Sequence, residues 1–385
     1  NEFELAVSCL SEARSIAESL GDDATRVRTR LVDAACDLAR GVPIARERLA
    51  GTIEEALAHQ LDELASTGYS NISYLDVEQR RLREAERVLE VSLVFTAERD
   101  IPICNHWQTA VRSRLRLLEG RWSAAVEDAE DALARSGMPL ALLWPHLVAG
   151  LVPLRRAGRV DDHLERAWEL ATRLDEPLRK LPVLAALAER MWLTGTADDR
   201  VTGVAEMSDS AAVAWATGDL AVWLRRLGIE TGVSPEIVAE PYRLSLTGRH
   251  AEAAAWWERA GAPFDQALAE TDAEDPQLRV RGIERLDLLG ATAVADRLRH
   301  ELRRQGIAQL PSRPRNSTRA NPSGLTNRQL DVAKLVARGY TNAQIADRLF
   351  ISVKTADHHV SAVLTKLGMP SRREVVVQSD TLGLA

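Results

Sequence analysis

Residues 339–367 read GYTNAQIADRLFISVKTADHHVSAVLTKL, and their local signals decide how the C-terminal part of the chain folds. Thr341 and Gln344 have the Ser/Thr-x-x-Glu/Gln spacing of a helix capping box, set just after Gly339, with Tyr340 and Ile345 placed as its hydrophobic staple. Ser352 is a suitable N-cap for a second helix that closes at Gly368. Only Phe350, Ile351 and Ser352 separate the two helices, the spacing of a helix-turn-helix. Ala346 stands where the second helix must cross closely, and Leu349, Ile351, Val360 and Leu364 supply the apolar lock.

Outward from this pair the punctuation repeats. Thr326 and Gln329 form one further box, with Leu325 and Leu330 as its staple, and Ser371 and Glu374 form another before Val375. The spacing predicts four short helices over about 327–338, 342–349, 353–367 and 372–381. On the third, Lys354, Thr355, Asp357, His358, Ser361 and Lys366 make a polar face suited to phosphates and base edges. Charge alone leaves a bare four-helix interaction domain open, because residues 323–385 hold eight basic against five acidic side chains.

These residues carry a resemblance. Leu325-Thr326-Asn327-Arg328-Gln329, Gly339 through Ala346, Leu349, Ile351-Ser352, Lys354-Thr355, His359-Val360 and Lys366-Leu367-Gly368 resemble the LuxR-type DNA-binding domain over nearly all of 325–378. The resemblance implies that helix three enters the major groove of double-stranded DNA and that helix four, with Val375 and Val376, pairs two copies on the operator; the run Val375-Val376-Val377 itself divides between core packing and a two-fold contact. It assigns base contacts to Asp357, His358 and Ser361. Thr341, Asn342, Lys354, Thr355, His359 and Lys366 match positions that meet backbone phosphates or hold the motif together. The family often has a basic residue where Asp357 stands. An Asp can accept from cytosine N4 but repels phosphate, which leaves the operator preference open. Gln329 replaces a common Glu and still serves its box, while Ala356 replaces a common Val and thins the lock.

Upstream, residues 310–324 hold three prolines among Ser, Asn and Gly, and no acidic residue occurs between Glu301 and Asp331. This predicts a basic linker over 309–322, in which Arg313, Arg315 and Arg319 either keep the segment solvated or track phosphate. The net charge of −7 divides at this point. Residues 1–310 hold 38 basic against 51 acidic side chains, and 311–385 hold 11 against five. An acidic body repels a polyphosphate and a basic tail attracts one.

The remaining 308 residues read as helix throughout: Ala, Leu, Arg and Glu dominate, and aromatics are 4% of the chain. Apolar stripes recur, as at Leu82, Ala85, Val88, Leu89, Ser92 and Leu93, and a glycine stop follows the segment 110–118 at Gly120. Similar stops at Gly158, Gly195 and Gly248 suggest stacked helix pairs resembling degenerate tetratricopeptide repeats, whose period is about 34 residues. The interval from Gly195 to Gly248 is too long for one unit, so it hides a repeat or marks an irregular array. All nine tryptophans lie in this body, either wedged between repeats or lining a ligand groove. The stretch Ile101 to Trp107 is read as a loop closing into a helix, with Pro102 in the first turn. Residues 253–267 are similar to the helical segment before the LuxR domain in large ATP-dependent regulators of the MalT-like group, which carry an upstream nucleotide-binding module.

Several chemistries are not encoded in the motifs. None of the four lysines follows a glycine, so there is no phosphate-binding P-loop, and neither HExxH nor GxSxG occurs. No enzyme activity, cofactor or metal is expected in this chain. The three cysteines are widely spaced, which fits reduced, buried thiols in a cytoplasmic protein. No apolar run approaches the roughly 20 residues of a membrane span. A chain starting at Asn1 is expected to be a fragment or a processed form. The expectation is an all-α bacterial transcription regulator. A tetratricopeptide-like superhelix (1–308) would sense a small-molecule or protein effector, and a four-helix LuxR-type domain (323–385) would bind DNA as a homodimer, with a contact to RNA polymerase left open. The alternative is a protein–protein interaction scaffold with a vestigial DNA-binding domain.

Overall fold

The computed structural model describes residues 2–135, 137–203, 213–306, 325, 327–349 and 351–377, and among these every regular element is a helix. The chain divides into two units, Asn1–Leu310 and Pro311–Ala385. The expected linker 309–322 lies outside the described residues, as do Thr326 of the first capping box and Phe350 of the turn.

The N-terminal unit begins with ten helices joined by short connections: α1 (Glu2–Leu20), α2 (Asp23–Ala39), α3 (Ala45–Ala58), α4 (Asp62–Glu78), α5 (Leu82–Glu98), α6 (Pro102–Leu118), α7 (Trp122–Ala134), α8 (Leu143–Ala157), α9 (His163–Leu174) and α10 (Pro177–Thr194). It continues through α11 (Asp199–Thr202), α12 (Ala214–Arg226), α13 (Glu240–Leu246), α14 (His250–Ala260), α15 (Pro263–Asp272), α16 (Pro276–Leu289) and α17 (Thr292–Arg304). Short 3-10 turns at Pro139–Leu142 and Pro235–Ile237 precede α8 and α13. Pro102 opens α6 as expected, where its missing N–H costs nothing.

One device ends most of the early helices. Gly21, Gly41, Gln60, Arg80, Asp100 and Gly120 all take positive φ, so a left-handed residue recurs every 19 or 20 positions. At the last four, the left-handed N–H returns to the carbonyl three residues back (Gln60 to Leu57, Arg80 to Val77, Asp100 to Ala97, Gly120 to Leu117). The next N–H returns five back (Leu61 to Ala56, Arg81 to Asp76, Ile101 to Thr96, Arg121 to Arg116). This is the Schellman pair of bonds, which satisfies the carbonyls a helix end leaves over. A helix pair therefore spans about 40 residues in this half, longer than a tetratricopeptide unit at about 34. The period is concealed in the sequence because Gln60, Arg80 and Asp100 occupy positions where glycine is the usual signal. Downstream, Gly158, Gly195 and Gly248 are left-handed as their sequence context suggests. Gly228 after α12 adds a further such stop inside the long interval.

Consecutive helices pack on each other, and α2, α4, α6, α8 and α10 also touch in series, forming one continuous row with α3, α5, α7 and α9 on its other side. The later helices return onto this row. α17 packs against α8 and α10, the Trp122 ring meets Phe264 of α15 edge-on at 5.9 Å, and Arg80 donates to the Tyr242 hydroxyl of α13 at 3.1 Å. Gly120 lies under this return: its φ of +76° favours glycine, and a Cβ there would stand 2.6 Å from the end of the Leu289 side chain, which would have to shift.

Charges are buried along the same seam. Arg155 on α8 makes a two-pronged bond to Glu189 on α10 at 2.7 and 2.8 Å, and Arg114 on α6 reaches Glu78 on α4 at 2.6 Å. Arg80, Arg114, Arg155, Glu189, Asp219 and Asp265 line a cavity of about 30 Å³, room for a water and little more. Six tryptophans (Trp107, Trp122, Trp144, Trp192, Trp223 and Trp257) are buried, and Trp168, Trp215 and Trp256 pack half-buried against the core, so packing is the main role of the set. The cysteines correct the expectation of buried thiols. All three are free, Cys36 and Cys104 are half-buried, and Cys9 is exposed on α1, which packs on α2 at the end of the row.

The C-terminal unit contains α18 (Asn327–Ala337), α19 (Asn342–Leu349), α20 (Val353–Leu367) and α21 (Arg372–Val377). Its separate core gathers Leu325, Val332, Val336, Ile345, Val360, Val363 and Val375, with Ala346 and Ala356 buried where helices approach. Ala356 is fully buried, so the small side chain at this position still belongs to the core. α18 packs on α20 and α21, and α19 packs on α20.

Candidate nucleic-acid interface

The start of α20 is fixed by Ser352, whose Oγ accepts from the Thr355 N–H at 3.0 Å and lies 2.7 Å from the Thr355 hydroxyl. Gly368, at φ +63°, ends it. The preceding helix starts from the expected box: the Thr341 N–H donates to Gln344 Oε1 at 2.8 Å, and the Gln344 N–H donates to Thr341 Oγ1 at 3.3 Å. In the third box, the Glu374 N–H goes to the Ser371 carbonyl.

With its apolar face in the core, α20 turns Lys354, Thr355, Asp357, His358, Ser361 and Lys366 outward, and all six are exposed. His359 is half-buried, a placement suited to holding the helix rather than reading a base. Lys354, His358 and Ser361 lie at i, i+4 and i+7, on one stripe of the helix. The stripe offers a cation for phosphate and two groups able to donate to or accept from base edges.

Asp357 is placed differently from a bare reading position. Its carboxylate accepts from Asn342 Nδ2 at 2.9 Å, and Asn342 Oδ1 accepts from Arg372 Nη1 at 3.3 Å. Arg372 also donates to the Tyr340 carbonyl. This chain of bonds ties the first turns of α19, α20 and α21 together, and it brings in Arg372, which sequence reasoning missed. Arg328, one of the residues that carry the resemblance but given no role there, donates from α18 to the Leu349 carbonyl at the end of α19, and the Arg348 guanidinium lies 4.6 Å from the Tyr340 ring centre. Arg348 and Arg372 have no distinguishing spacing in the sequence; each is recognisable only from what lies across the fold. Lys366 donates to Gln329 Oε1 at 2.9 Å, fastening the end of α20 to α18.

Of the two valines expected at a two-fold contact, Val375 is fully buried in this unit's own core, so its side chain is not available to a second copy. Val376 is 38% exposed. The predicted remainder of that helix, 378–381, lies outside the described residues. Among the described residues, no group of three or more His, Cys, Asp and Glu side chains could hold a metal ion, and no helix is long and apolar enough to cross a membrane.

Comparison with known proteins bears on this unit alone. Oxygen regulatory protein NreC from Staphylococcus aureus strains JH9, JH1 and Mu3 is 46% identical over 52 residues, which is 14% of this chain and 24% of the relative. The chain thus spans about a quarter of the length of the curated relatives it matches. No solved structure matches. Residues 323–379 match the family described as bacterial regulatory proteins, luxR family, and that segment is a LuxR-family helix-turn-helix domain.

Proposed function

We propose that this chain is a DNA-binding transcription regulator of the bacterial cytoplasm, not an enzyme, in which α20 enters the major groove. The supporting observation is the exposed stripe Lys354, His358 and Ser361 on the second helix of a LuxR-family domain. Lys354 meets phosphate, and His358 and Ser361 read base edges. Asp357 joins them where a cytosine amino group competes with Asn342 for its carboxylate. Thr341, Asn342, Thr355, His359 and Lys366 hold the motif. Two copies pair through the exposed side of α21 around Val376. The helical body, a divergent tetratricopeptide-like array of longer period, senses an effector or a partner and needs no cofactor.

Gel-shift titration of the full chain against a random duplex pool at low salt tests this reading. Lys354→Ala is expected to weaken all sequences alike and to lower the salt slope by about 1. His358→Ala is expected to change the preferred sequence, at about 1–3 kcal/mol per lost base contact. A full chain that shifts no duplex leaves the scaffold reading in its place.

A further inference from the structure

Among the described residues of the body five arginines are buried: Arg114, Arg155 and Arg299 hydrogen-bond the carboxylates of Glu78, Glu189 and Asp287, and Arg80 donates to the Glu78 carbonyl and the Tyr242 hydroxyl. Arg179, in the first turn of α10, is only 7% exposed and is not matched in this way. Its Nε faces the Glu176 carboxylate at 3.4 Å without hydrogen-bond geometry, and Nε and Nη1 are both buried with no hydrogen-bond partner. Aromatic rings surround it: the guanidinium carbon lies 4.5 Å from the Tyr74 ring centre, 5.5 Å from Trp107 and 5.6 Å from Trp144. The Tyr74 hydroxyl is likewise buried without a partner.

Arg179 and Tyr74 line the same groove. It has a volume of about 430 Å³ and runs along the α2–α4–α6 row between the 3-10 turn Pro139–Leu142 and the start of α10. Most of its wall is carbon, including Val32, Ala35, Leu75, Ile103, Leu140 and Leu178. The volume falls in the roughly 300–1,000 Å³ range of small-molecule sites, and an apolar wall with a few convergent polar groups is their usual composition. A buried donor left unpaired is costly, so two residues carrying such donors in the wall of one groove call for an acceptor from outside the chain. Arg179 supplies one positive charge and a planar fork that matches a carboxylate, and the helix start beneath it favours an anion. A polyanion is excluded by the carbon wall and by the adjacent Glu176. Burial holds the Tyr74 phenol well above its ordinary pKa, so it remains a donor at any physiological pH.

We propose that this groove binds a small monocarboxylate with an apolar body, its carboxylate on Arg179 and Tyr74 and its carbon chain or ring along α2, α4 and α6. The inference rests on the proposed role of the body as a sensor and names the chemical class sensed.

Calorimetric titration of the full chain with decanoate and with 4-phenylbutyrate tests it. At least one acid is expected to bind saturably at one site per chain. Arg179→Met is expected to weaken that acid tenfold or more, and the neutral 4-phenylbutan-1-ol is expected to bind no better than the acid binds the variant. Binding of neither acid, equal binding of acid and alcohol, or unchanged affinity in a folded Arg179→Met chain overturns the proposal. Where circular dichroism shows that Arg179→Met does not fold, Tyr74→Phe removes one oxygen and Ala35→Trp fills the groove. Unchanged affinity in both variants overturns it equally. A gel shift on the same preparation separates the two readings. A chain that shifts duplex but takes up no acid retains the regulator reading and loses this site. A chain that binds acid but shifts no duplex keeps the site and loses its role as a sensor for DNA binding.

Discussion

Ser352 shows how much one hydroxyl contributes. It satisfies the Thr355 N–H and sets the phase of α20, and therefore which side chains reach the exposed stripe. Ser352→Ala is expected to cost the C-terminal unit about 1 kcal/mol in urea denaturation. A second residue-scale effect lies in the body, where His146 Nδ1 stands 2.9 Å from His163 Nδ1. Burial first, and then the neighbouring His163, hold the His146 imidazole down at about 4. In the unfolded chain it takes up a proton near its ordinary value of about 6.5, so the fold binds fewer protons between the two values. Its contribution to stability is complete above about 6.5 and is lost as the pH falls to about 4. Asp265, held up at about 6 chiefly by burial, acts with the opposite sign over an overlapping window. The histidine is therefore read from the difference between wild type and His146→Gln: the variant should lose less stability than wild type as the pH falls from 6.5 to 4, followed by thermal melts across that range.

At the scale of the element, the left-handed turns separate two kinds of residue doing the same backbone task. Gln60 is exposed and Arg80 is buried, yet both take φ of +58°. A Cβ is disfavoured in this region by roughly 1 kcal/mol, and glycine relieves it. Gln60→Gly is expected to be neutral or to raise stability by up to about 1 kcal/mol. Arg80→Gly is expected to lower it, because the Arg80 guanidinium donates to the Glu78 carbonyl and to the Tyr242 hydroxyl. Chemical denaturation of the two variants decides the sign. Periodicity and glycine stops marked the helical stripe at Leu82–Leu93, the segment 110–118 and the stops at Gly120, Gly158, Gly195 and Gly248. The recurrence every 19 or 20 residues was not legible, since a glutamine, an arginine and an aspartate stand at three of its turns.

On the scale of the whole molecule, each unit has its own core and its own charge balance. In the body, ion pairs are buried where the returning helices cover the row. Glu189 is 1% exposed and is the hydrogen-bond partner of Arg155. Removing it by Glu189→Ala leaves a buried cation uncompensated and should cost about 3–5 kcal/mol, measured by equilibrium unfolding of the full chain. Such pairs were not legible in the sequence, because Arg155 and Glu189 lie 34 residues apart among many other arginines and glutamates.

By itself the sequence determined the all-helical class, the four helices of the C-terminal unit, the cap residues of α19 and α20, and the polar face of α20. These are local properties, written in spacings of three, four and seven residues and in the conformational preferences of Ser, Thr and Gly. Only the tertiary structure decided that Asp357 is tied through Asn342 to Arg372, that Val375 belongs to the core while Val376 is exposed, and that the later helices return onto the α2–α10 row. It also brought Arg179 and Tyr74, more than 100 positions apart, to one groove with their donors unmatched. Contacts of this kind depend on which surfaces meet, and a linear pattern carries no record of a meeting between side chains so far apart in the chain.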